Sequence, residues 1–146
     1  MLHGLLDLPV LYLSRYIVRN KADYYQGLQA VRESDAWEAW VLYMLSAIEE
    51  TSRETLIKVR GIRDLMQETK QRLRSDLPKL YSQALLNNLF RHPYTKIEFI
   101  ERDLGVSRPT ATKHLGALET NSLLRKSKLG RTNFYINEPL FKLLSR

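Results

Sequence analysis

Thr95-Lys96-Ile97-Glu98-Phe99-Ile100-Glu101-Arg102-Asp103-Leu104-Gly105-Val106-Ser107-Arg108-Pro109-Thr110-Ala111-Thr112-Lys113-His114-Leu115-Gly116-Ala117-Leu118 carries two helix starts and, between them, one helix stop. Thr95 and Glu98 have the spacing of a capping box, in which the hydroxyl caps the helix and the acid reaches back. Gly105 follows Leu104, where a tight turn calls for a positive φ. Val106 is apolar and turn-facing. Ser107 then reads as the cap of a second helix, with Pro109 in the first turn, where no amide partner is lost. Ala111, Leu115 and Leu118 recur at four- and three-residue spacing and so share one face. The opposite arc carries Pro109, Lys113 and Gly116, flanked by Thr112, while Arg108 and Thr110 sit at the exposed first turn. An apolar back and a polar front that begins at the N-terminus suit a helix entering the DNA major groove.

Working outward, Leu123–Ser127 and Thr132–Ile136 alternate enough to predict two short strands, with Phe134 and Ile136 on one face. Lys128-Leu129-Gly130-Arg131 between them reads as a turn with glycine at the positive-φ position. Arg125, Lys126, Lys128 and Arg131 cluster on this hairpin. A basic wing of this kind lies along a phosphate backbone and adds salt-sensitive affinity. The pattern as a whole predicts a winged helix-turn-helix domain, with DNA as partner and Ser107 completing the helix contacts. The competing reading is a helix–hairpin module with a solvated basic face, because such domains also serve as protein-interaction platforms.

Charge favours the first reading. Residues 78–146 hold 12 Lys+Arg against 5 Asp+Glu, whereas residues 1–77 hold 11 of each, so the whole formal surplus of +7 sits on the C-terminal half. A basic patch confined to one domain is the electrostatic footprint of a nucleic-acid binder. With no cysteine and three scattered histidines (His3, His92, His114), neither disulfides nor a metal site is expected, and no cofactor is called for. No apolar run approaches the length of a membrane span, and the opening residues lack the pattern of a secretory signal, so a cytoplasmic location is expected.

Residues 1–75 read as helical and 76–146 as the winged helix-turn-helix domain, with the break near Ser75-Asp76-Leu77-Pro78. Pro9 sits early in an apolar run from Leu8 to Ile17, as at a helix start. Lys21–Glu33 forms a second helix, with Tyr24, Leu28 and Val31 on one side, and Asp35 caps a third. Val41, Met44, Ile48, Thr51, Thr55, Val59, Ile62, Met66, Thr69 and Leu73 then alternate threes and fours. That seam predicts one long helix, bent near Gly61 and packed lengthwise on its partners. Trp37, Trp40 and Met44 are expected to fill a core.

Several runs in this half resemble the segment that follows the catalytic loop of Fic-family proteins: Gly4-Leu5-Leu6-Asp7-Leu8-Pro9-Val10-Leu11-Tyr12-Leu13-Ser14-Arg15-Tyr16-Ile17, Asn20–Tyr25 and Trp37–Leu45. Leu89–Ile97 and Val106–Ala111 are similar to the winged helix appended to many bacterial Fic proteins. The resemblance implies a mainly α chain, a helical Fic-type remnant joined by a long helix to a C-terminal winged helix-turn-helix domain. It also implies that full-length members transfer AMP from ATP to a hydroxyl side chain of a target protein.

Fic chemistry needs a loop of the form H-x-F-x-(D/E)-G-N-G-R-x-x-R, whose histidine acts as base and whose acid holds Mg²⁺. Its glycine-rich turn cradles phosphates at a helix start. His92-Pro93-Tyr94 is not followed by that turn, and neither is His3-Gly4-Leu5. Ser46 and Glu50 have the spacing of the family's inhibitory helix, but Thr51 stands where glycine or asparagine belongs. No catalytic residue carries over. The chain therefore reads as a DNA-binding piece of a Fic protein beginning beyond the loop, regulatory and not itself an enzyme. The alternative is part of an adenylyltransferase whose winged helix presents targets. Removal of the preceding Fic helices would leave an apolar face open, which predicts a rearranged bundle, self-association, or docking to a full-length Fic protein.

Overall fold

The computed structural model describes residues 12–145. The predicted helix start at Leu8-Pro9 and most of the first Fic-like run lie outside them, as does His3. The described chain is mainly helical. It comprises α1 (Leu13–Arg19), α2 (Lys21–Ser34), α3 (Trp37–Asp76), α4 (Gln83–Arg91), β1 (Tyr94–Thr95), α5 (Ile97–Leu104), α6 (Arg108–Thr120), β2 (Arg125–Leu129), β3 (Thr132–Ile136) and α7 (Glu138–Ser145). It divides at Val59/Arg60 into two compact units. The break expected at Ser75–Pro78 marks the end of α3, but the last turns of that helix already belong with the second unit, because Leu73 and Met66 pack in its core.

In the first unit, α1 and α2 cover one face of α3. Tyr24 meets Trp40 edge-on at 5.2 Å and Trp40 stacks on Tyr43 at 5.7 Å, while Ala47 and Thr51 are buried behind them. Arg19 donates to Glu54 at 2.7 Å. Two expectations fail here. Asp35 does not open α3 but closes α2 in the left-handed conformation, φ 56°, and its carboxylate accepts the Trp37 indole N–H at 2.6 Å. That bond holds Trp37 outside any core, 57% exposed. The long seam is also only partly closed. Thr51 in the first unit and Thr69 and Leu73 in the second are buried, yet Val41, Ile48 and Val59 are exposed.

The second unit is built around Leu73, Leu85, Leu86, Leu89, Ile100, Ala111, Leu115, Leu118, Leu123, Leu124 and Tyr135. Its three antiparallel strands lie in the order β1-β3-β2, with Thr95 opposite Tyr135 and Lys128 opposite Asn133. Ser82 caps α4 by accepting the Leu85 amide at 3.1 Å. Gly61 explains itself by space, because a Cβ there would lie 2.9 Å from the Leu143 side chain of α7. The sequence pattern predicts neither β1 nor α7. Asn137 supplies the missing logic for α7: buried, it accepts the Leu140 amide at 3.2 Å as an N-cap and donates to the Leu89 carbonyl at 3.2 Å.

The capping box is overturned. Thr95 lies in β1, fully buried, and Lys96 occupies the cap position of α5 without a side-chain cap bond. The Thr95 hydroxyl instead donates to Asn88 Oδ1 at 2.7 Å, and Asn88 Nδ2 donates to Asp103 at 2.8 Å. The strand took Thr95 because its inward position opposite Tyr135 gives its hydroxyl a buried partner on α4. The Arg102 guanidinium, then Asn88 and Arg91, hold the Asp103 carboxyl below the usual carboxylate range against the cost of its burial. A depressed carboxylate stabilises the fold above its ordinary titration range, and that share is lost on acidification through the folded-state value. Asn88→Ala leaves the buried Thr95 hydroxyl without its partner and is expected to cost about 1–3 kcal/mol. A urea midpoint equal to the parent's would show that the network contributes nothing.

Candidate nucleic-acid interface

Helices α5 and α6 and the β2–β3 hairpin position the predicted contact residues. Gly105, φ 66°, closes α5, and Val106 packs against the core. Ser107 stands at the cap position of α6, but its hydroxyl pairs with the Thr110 hydroxyl at 3.0 Å and not with a backbone amide. Pro109 lies in the first turn, and Ala111, Leu115 and Leu118 are fully buried, as the spacing predicts. The opposite face is open, with Pro109, Thr112 and Lys113 exposed and Gly116 half-exposed.

The hairpin differs in register from expectation. β2 starts at Arg125 and runs to Leu129, leaving a two-residue turn of Gly130 and Arg131, with Gly130 at φ 59°. Leu123 and Leu124 are drawn out of the strand because both are buried beneath α6, where their amides bond to the Leu118 carbonyl. In β3 the core residue is Tyr135, 3% exposed, and Phe134 and Ile136 share the outer face, half-buried. Strand alternation therefore puts Lys126 and Lys128 on one side of β2 and Arg125 on the other.

The predicted cations fall into two electrostatic groups. Arg108 lies 3.6 Å from Glu101 and 3.9 Å from Glu98 on α5, and Arg125 is paired with Glu138 at the start of α7. Their charge is largely answered within the domain. Among the described residues no carboxylate lies in salt-bridge reach of Lys113, Lys126, Lys128 or Arg131. Lys126 rests over the Tyr135 ring at 5.9 Å. The polar residues of α6 are partly self-occupied, since the Thr112 hydroxyl donates back to the Arg108 carbonyl at 2.9 Å. Thr110 and Lys113 also line a groove of about 560 Å³ with Leu77, Pro78 and His114. Burial, and then Lys113, push the His114 imidazole below its usual range, which favours its neutral form. Among the described residues no group of His, Asp and Glu has the arrangement of a metal site.

One cation outside the predicted set lies at the start of α5. Lys96 sits with its ammonium 4.6 Å from the Phe134 ring centre and 5.6 Å from that of Phe99. The Lys96–Phe99 spacing was visible as one helical turn, but nothing in the chain announced that Phe134, far along in sequence, would close over it.

Residues 65–140 match the family described as "Protein adenylyltransferase SoFic-like, C-terminal domain". The matched span opens within the last turns of α3 and runs through α4, α5, α6 and the sheet into α7, so it follows the second compact unit and not the helix break at Asp76. It covers slightly more than half of the chain, which therefore belongs to the SoFic-like family of protein adenylyltransferases through its C-terminal domain.

Proposed function

We propose that the second unit is a winged helix that binds duplex DNA, with the open face of α6 in the major groove and the hairpin along a phosphate backbone. The observation that carries this reading is the set of uncompensated cations on those two elements, Lys113 on α6 and Lys126, Lys128 and Arg131 on the hairpin. Each ammonium or guanidinium that neutralises a phosphate releases counterions, so binding weakens linearly in log–log with salt. Arg108, held by Glu98 and Glu101, must leave its acids to reach a base and contributes less than its position suggests. Ser107 and Thr110 must likewise give up their mutual bond. Titrating the full chain into labelled duplexes at stepped salt tests the reading; absence of salt-dependent retention at low ionic strength would remove it.

The family match favours a second reading, in which this chain, not itself an enzyme, serves as the target-presenting part of an adenylyltransferase. Labelled ATP, Mg²⁺ and candidate target proteins, with and without a full-length family member, separate the two. Enhanced transfer only when both chains are present supports target presentation, and transfer by this chain alone contradicts its reading as a non-enzyme.

A second copy is the partner proposed for the first unit. Trp37, Val41, Leu45 and Ile48, then Leu56 and Val59, are 39–57% exposed along α3, at three- and four-residue steps within each group and eight residues between Ile48 and Leu56. At about 100 Å² each they offer roughly 600 Å² per copy, so two stripes laid together reach the roughly 1,200 Å² of a stable interface. Sedimentation is expected to show a dimer at micromolar concentration, and Leu45→Glu with Leu56→Glu to return it to monomer. A parent that sediments as a monomer throughout that range overturns the proposal.

A further inference from the structure

We infer that Lys96 is a phosphate contact that flanks the footprint of α6, an inference resting on the duplex-binding reading above. Three observations place it. Lys96 stands at the start of α5, and two residues on, Glu98 reaches Arg108 at the start of α6, so this end of α5 lies beside the entry of the proposed groove helix. Its ammonium lies 4.6 Å from the ring centre of Phe134 on the outer face of the sheet, opposite the face of Lys126 and Lys128, so it extends the cationic surface around the start of α6 and not along the hairpin. Among the described residues no carboxylate is within salt-bridge reach of it.

The rings do more than fill space. Phe99 and Phe134 contact the same ammonium from α5 and β3, which restricts an otherwise flexible, rotamer-rich side chain. A cation restrained before binding gives up less freedom when it meets its partner. Cation–π contact leaves N–H donors of the ammonium uncommitted, and a compact ammonium suits a single phosphate oxygen. The surrounding face supplies further contact area: Tyr94, 38% exposed, packs edge-on against Phe134 at 5.5 Å, and the exposed His92 ring stacks on Tyr94 at 6.0 Å. These rings suit the sugar edge of a backbone whose phosphate Lys96 holds.

The test compares the full chain with Lys96→Gln and Lys96→Arg on two duplexes of unrelated sequence, with thermal melting of each protein alongside. For Lys96→Gln the salt slope is expected to fall by about 0.9, the value for one lost phosphate, with the same several-fold weakening on both duplexes. Lys96→Arg is expected to keep the parent slope. If Lys96→Gln melts like the parent and keeps its slope, while hairpin charge reversals still reduce it, Lys96 is a packing residue and the inference fails with the DNA reading intact. Where Lys96→Gln lowers the melting point, a Lys96→Met variant keeps the aliphatic stem against the rings and must lose the same slope; a parent slope in Lys96→Met overturns the inference. A parent that retains no duplex at low salt removes the DNA reading and this contact with it.

Discussion

Lys128→Glu with Arg131→Glu is expected to lower affinity for any duplex by roughly tenfold or more at moderate salt and to flatten the salt slope by about 1.8, two contacts at about 0.9 each. Both side chains are exposed at the end of the hairpin, and neither has an acid partner to compensate it, so reversal removes attraction and adds repulsion. Because a phosphate contact carries no base information, the loss should be equal across sequences. Lys113→Ala is the contrasting control. If Lys113 reaches a base edge, its removal changes preference among sites by about 1–3 kcal/mol. Arg125→Glu should matter less than either hairpin change, because Glu138 already answers that guanidinium. Binding by the double variant that equals the parent's, at every salt concentration, would sink the proposed function.

The other large effect is on stability. Leu73 is fully buried in the core of the second unit although it belongs to α3, so Leu73→Ala is expected to cost about 2–5 kcal/mol. Against a typical total of about 5–15 kcal/mol for a domain, that is a large fraction. The same packing predicts how fragments behave. One starting at Asp76 loses Leu73, Met66, Thr69 and the Arg72 bond to the Asn121 carbonyl at 2.9 Å, and should have a markedly lower denaturant midpoint than one starting at Arg60. Equal midpoints for the two fragments would mean that the last turns of α3 are an appendage and not part of the domain.

How much of the site was legible depended on how far apart the interacting residues lie in sequence. The α6 faces, Pro109 and the two turn glycines came directly from spacing. The pairing of Arg108 with Glu98 and Glu101 did not, because it depends on how two helices pack. Nor did the pairing of Arg125 with Glu138, which joins β2 to the start of α7. Thr95 shows why a local motif misleads: the spacing of a capping box was present, yet a buried Asn88 offered its hydroxyl a partner from another element.

By itself the sequence determined a helical chain with a long third helix, a basic C-terminal half, the buried and open sides of α6 and a glycine-turned hairpin. These follow from periodicity, charge count and backbone sterics, which act within a few residues. Tertiary structure alone decided which cations remain unanswered, that Tyr135 and not Phe134 enters the core, and that the end of α3 belongs to the second unit. Each of those outcomes depends on elements distant in sequence competing for the same buried space or the same charge, and no local pattern encodes the result of that competition.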